Sequence, residues 1–190
     1  MKTKIQRFAK FFRAIFFIAL IVSPLLTGIV WLSGGEVLVL GEDNPAMAIK
    51  ELTADLPIDQ ALIPDYPLPM STRLMGLGVD MIPTGIRMLS WWWLFLLFGC
   101  FTAGEIFTRN TVKYIRRTGW TVLIGAGFMP IHEALMTVAL TIQNPPGERM
   151  VAFSIDSANL EEIVIGGIII LVSWIMDEGR ELRETEELTV

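Results

Sequence analysis

Long apolar runs separated by short charged clusters set the pattern of this chain. Residues 14–32 pass nineteen positions without a charge, and residues 81–101 carry one, Arg87. Residues 120–140 hold His132 and Glu133 as their only ionisable groups. A fourth run, residues 163–176, is fourteen long, but Asp156 or Ser157 as an N-cap starts its helix early enough to cross a membrane. About twenty apolar residues traverse a hydrocarbon core of about 30 Å. The pattern therefore predicts an all-α integral membrane protein, a four-transmembrane-helix bundle forming one domain over residues 1–190, with spans at about 12–32, 80–102, 119–141 and 158–178. Pro83 and Pro130 fall inside spans, where neighbouring helices can satisfy the freed carbonyls.

Between the spans the pattern changes. Residues 33–79 form a long acidic external loop, punctuated by Gly34-Gly35, Asn44-Pro45 and Pro57, Pro64, Pro67 and Pro69. Within it residues 36–40 read as a short strand and residues 46–56 as a short helix. Residues 150–155, in the second external loop at 142–157, read as another strand, so a small external β-ribbon is expected. The connection at 103–118 places Arg109, Lys113, Arg116 and Arg117 on one helical face. Residues 179–190 are a charged tail.

Composition sharpens the class. Of the 190 residues 53% are hydrophobic and 18% charged, and the mean hydropathy is +0.55, which excludes an ordinary soluble enzyme. A net charge of −5 gives no general attraction to nucleic acid, and one cysteine can form neither an internal disulfide nor a thiolate metal cage. The first run exceeds a signal-peptide core and carries Phe16 and Phe17, so it reads as a retained span. Eleven Lys and Arg flank the spans on the side of the termini and three on the other, with Arg87 inside a span. The positive-inside bias then puts both termini in the cytoplasm.

Residues 101–120, Phe-Thr-Ala-Gly-Glu-Ile-Phe-Thr-Arg-Asn-Thr-Val-Lys-Tyr-Ile-Arg-Arg-Thr-Gly-Trp, resemble the loop joining spans two and three in a bacterial four-span family, domain of unknown function 2975. The close of the chain, Glu187-Leu188-Thr189-Val190, is similar to the C-terminal signature of that family, and the likeness covers about residues 71–190. The resemblance implies an inner-membrane protein, often encoded beside a small helix-turn-helix regulator. It implies no catalytic residues.

Ionisable groups inside a membrane are candidate functional residues. Counted at ~1.5 Å per residue from Thr102, Trp120 and Asp177, Arg87, Glu133 and Glu162 share a level of roughly 20–22 Å. His132 and Glu161 lie one residue from it, and Asp80 comes out near 33 Å. Arg87 paired with Glu133, with Glu161 or Glu162 as second contact, is the expected ion-pair layer. His132 and Glu133 are adjacent rather than at i, i+3 or i, i+4, so no metal site is expected, and no cofactor. No nucleophile or phosphate loop accompanies them, which argues against an enzyme. Gly99-xxx-Ala103 and Thr121-xxx-Gly125 permit close helix contacts, within one chain or in a homo-oligomer. Two functions fit: a regulatory partner that contacts lipid or a cytoplasmic regulator through its basic loop and closing Glu187, Leu188, Thr189 and Val190, or a small-molecule or ion carrier using the polar layer.

Overall fold

A computed structural model describes residues 2–33, 56–63 and 68–187. The described residues are all-helical: α1 spans Lys2–Leu32, α2 Met70–Ala103, α3 Arg109–Thr141 and α4 Ser157–Glu187, with a short 3-10 turn at Gln60–Leu62. All four are long and apolar enough to cross a membrane. Their exposed faces say the same. Phe11, Ile18, Leu25 and Ile29 on α1, and Val164, Ile168, Leu171 and Ile175 on α4, are large apolar side chains left uncovered along whole helices, a surface that water would not tolerate and lipid tails solvate. The chain is an all-α, multi-pass membrane protein.

The helices outrun the apolar stretches that betray them. α2 begins ten residues before residue 80 and α3 begins ten before residue 119. The connection between them is correspondingly tight. Gly104 takes φ +83° at the end of α2, its N–H donates to the Phe101 carbonyl and the Glu105 N–H donates to that of Cys100, a Schellman stop that only glycine enters without strain. Thr108 then caps α3, its hydroxyl accepting from the Thr111 N–H at 3.4 Å. Pro24, Pro83 and Pro130 all lie within continuous helix. Inside the helices Thr27, Thr102, Thr118 and Thr121 each donate to the carbonyl four residues earlier, so their hydroxyls need no water.

The chain divides into two compact units. The first comprises Met1–Val22, Ile86–Gly127 and Ser157–Val190. Here α1 meets α2 through Phe12 and Phe98, whose rings stack at 5.4 Å, and through Arg13 over the Phe95 ring at 4.6 Å. α2 meets α3 where Trp93 stacks on Tyr114, and α3 meets α4 where Gly119 and Gly166 face each other's carbonyl oxygens. Backbones approach this closely only where neither residue has a side chain.

The second unit comprises Ser23–Gly85 and Phe128–Asp156. Its core is Trp31, Leu68, Met136 and Leu140. Arg73 donates to the carbonyls of Leu68 and Leu32, tying the end of α1 to the start of α2. Gln143 donates to Ser71, and Asn144 to the Leu62 carbonyl at 2.8 Å.

Of the expected β-ribbon only the second arm is described. Residues 36–40 and almost all of the expected helix at 46–56 lie outside the described residues. Residues 150–155 are extended but pair with no strand among the described residues. They run antiparallel along α3 and bond to its side chains. The Thr141 hydroxyl bridges the N–H and C=O of Met150, the Thr137 hydroxyl bridges those of Ala152, and Glu133 takes the N–H of Ser154. The match is metric: two residues of extended chain advance about 6.6–6.8 Å, and four of helix about 6.0 Å. Every second residue of the segment thus meets every fourth of α3, and its backbone bonds to side chains of that helix.

Candidate functional site

In the second unit side chains from two helices converge on a carboxylate of a third. Asp80 Oδ2 accepts from the Trp31 indole N–H at 2.6 Å, and Asp80 Oδ1 lies 2.8 Å from His132 Nε2. Trp31 is 4% exposed, and the side chains of His132 and Asp80 are 12% and 25% exposed. The indole reaches Asp80 because Gly76, one turn earlier on α2, has no side chain: a Cβ there would stand 2.2 Å from the Trp31 ring. Both oxygens of Asp80 are thereby engaged, and His132 Nδ1 is buried with no hydrogen-bond partner among the described residues. An aspartate that orients an imidazole can set its tautomer.

Glu133, next in sequence to His132, lies on another face. It is 8% exposed, and its Oε2 accepts from both the N–H and the hydroxyl of Ser154 at 2.7 and 2.8 Å. Arg87 is exposed on α2 and forms no ion pair among the described residues, and Glu161 and Glu162 are exposed near the start of α4. Arg87 belongs to the first unit, where its neighbour Ile86 packs against Gly125, and Glu133 belongs to the second. Asp80 and His132, which the sequence count set about 15 Å apart, are joined instead.

A second polar constellation belongs to the first unit. Arg116 donates to Asp177 at 2.6 Å and to Ser173 at 3.4 Å, and Arg180 donates to the other oxygen of Asp177 at 3.2 Å. Arg117 lies over the Trp93 ring at 4.5 Å. Arg109, Lys113, Arg116 and Arg117 line a cleft of about 360 Å³ between α3 and α4, closed on the α4 side by Asp177, Arg180 and Glu181. Four bases that the sequence set on one face do share one surface. Glu187 ends α4, and Leu188, Thr189 and Val190 lie outside the described residues.

Trp31, Gly76 and Ser154 were not among the expected site residues. The signal for Trp31 was its position at the end of an apolar run, where an indole N–H needs a partner, with Gly76-xxx-Asp80 at helical spacing to provide it. Comparison with protein-family models, curated proteins and solved structures found no match.

Proposed function

We propose that this chain is a sensory or regulatory protein of a bacterial inner membrane, with both termini cytoplasmic, which works through a cytoplasmic regulator of helix-turn-helix type. The observation that carries this reading is α4. It runs unbroken from Ser157 to Glu187, leaving its apolar stretch at Asp177 and continuing for ten more residues, about 15 Å, as a charged helix. A rigid rod that leaves the membrane attached to a spanning helix is a direct way to pass a change in packing to a soluble partner. The bias of Lys and Arg toward this side supports the orientation. The likeness of residues 101–120 and 187–190 to the four-span family supports the bacterial membrane and the kind of regulator. Asp80 and Glu133, each held by neighbours within the fold, support a structural role for the polar residues at the other end.

Deleting residues 186–190 is expected to change transcription of the neighbouring operon while the protein stays inserted and abundant. Unchanged transcription in native cells, with normal protein levels, would remove the regulatory reading. A second reading, a carrier of a small molecule or ion, is favoured by the buried Nδ1 of His132, which has no hydrogen-bond partner among the described residues and could accept a hydrogen bond from a ligand. His132→Phe with loss of uptake and unchanged transcription would favour that one.

A further inference from the structure

We propose that the cleft between α3 and α4 is a binding site for the phosphate headgroup of an anionic membrane lipid. It goes beyond the regulatory reading and does not depend on it. Five bases and two acids line the cleft, which leaves three net positive charges in about 360 Å³. The bases are not equivalent. Arg116 and Arg180 are held by Asp177, and Arg117 is held on Trp93, so three cations are prepositioned. Arg109 and Lys113, one turn apart on α3, are exposed and form no ion pair or hydrogen bond among the described residues. Two unpaired cations beside three ordered ones present a wall of donors whose complement is an anion with several acceptor oxygens.

The neighbouring surface selects a lipid over a soluble phosphate. Continuing along α3 from Arg116 at a spacing of four come Trp120 and Ile124, which are 52% and 59% exposed. A headgroup seated on Arg109 and Lys113 can lay an acyl chain along Trp120 and Ile124 without leaving that face. A free phosphate gains nothing from them. Asp177 tunes the site: it neutralises part of the Arg116 and Arg180 charge and keeps both side chains from folding back toward the unpaired pair.

The experiment is native mass spectrometry of the full chain from neutral micelles carrying added phosphatidylglycerol, phosphatidylcholine or glycerol phosphate. Phosphatidylglycerol is expected to be retained, and the other two are not. Arg109→Gln with Lys113→Gln is expected to weaken that retention about twenty-fivefold, at roughly fivefold for each base. Lys4→Gln with Lys10→Gln, which removes the same charge elsewhere, is expected to leave it unchanged. On the unaltered chain, salt that shortens the Debye length to about 3 Å should release the lipid. Equal losses in the two double variants, equal retention of phosphatidylcholine, or salt-resistant binding would each overturn the proposal. Binding of glycerol phosphate as tight as that of the lipid would reassign the site to a soluble phosphate and overturn the lipid assignment.

Discussion

Asp80→Ala is expected to destabilise the protein by about 2–4 kcal/mol, because it strands a buried indole N–H and an imidazole nitrogen at once. Trp31 is 4% exposed and cannot turn to water without leaving the core that it shares with Leu68, Met136 and Leu140. Asp80→Asn should cost much less. Its carbonyl oxygen can still accept from Trp31, and its amide can donate to His132 Nε2 if the ring proton moves to Nδ1, so the loss is confined to one unpaired ring N–H. Thermal unfolding in detergent, followed by tryptophan emission, separates the two variants. Equal Tm values for Asp80→Ala and the unaltered chain would show that the carboxylate does not hold these helices together.

The second large effect is expected at Gly119. A Cβ there would sit 2.7 Å from Ile170 Cγ1 and 3.0 Å from the Gly166 carbonyl oxygen, and a carbonyl of a packed helix cannot step aside. Gly119→Ala should therefore cost about 1–3 kcal/mol, the usual range for overpacking, and Gly119→Leu should separate α3 from α4. Gly127, on the same helix, has nothing within 4 Å of its would-be Cβ. Gly127→Ala should be neutral or slightly stabilising, since alanine is the better helix former. If both alanine variants melt alike, the close crossing of α3 and α4 is wrong.

The four helices were legible because an apolar run of about twenty residues has one reading in lipid. Their register was not. The count toward the polar layer started α3 at Trp120, where its apolar stretch begins, yet the helix begins at Arg109, eleven residues earlier. Eleven residues are about 16 Å, close to the whole error. Restarted from Arg109, His132 rises to the level of Asp80, and Arg87 falls beside Gly125. Apolar runs report where lipid is and not where a helix ends; the stop at Gly104 and the cap at Thr108 carry that information.

Other contacts escaped for different reasons. Residues 150–155 have the alternation of a strand, and they are extended, but the alternation says nothing of what the backbone bonds to. Thr137 and Thr141 were in view as part of an apolar run, where a threonine every fourth residue is ordinary. The Gly119–Gly166 crossing had a weak signal in Gly166-Gly167, since glycine in a helix interior costs about 1 kcal/mol and persists where two backbones must meet. The basic face of α3 was legible from spacing alone, because charges repeating at three and four along a helix can only share a side. Its partner carboxylate, Asp177, lies sixty-one residues away, and no local pattern links it to Arg116.

The central claim is that α4 carries the chain from one side of a membrane to the other, with its charged end in the cytoplasm. Thiol labelling tests it most directly. With Cys100→Ala as background, Glu148→Cys places a thiol in the exposed turn before α4, and Leu182→Cys places one on its exposed charged end. An impermeant maleimide applied to intact cells should label the Glu148→Cys variant and should reach the Leu182→Cys variant only after the membrane is opened. Labelling of Leu182→Cys in intact cells, alone or together with Glu148→Cys, would contradict the account.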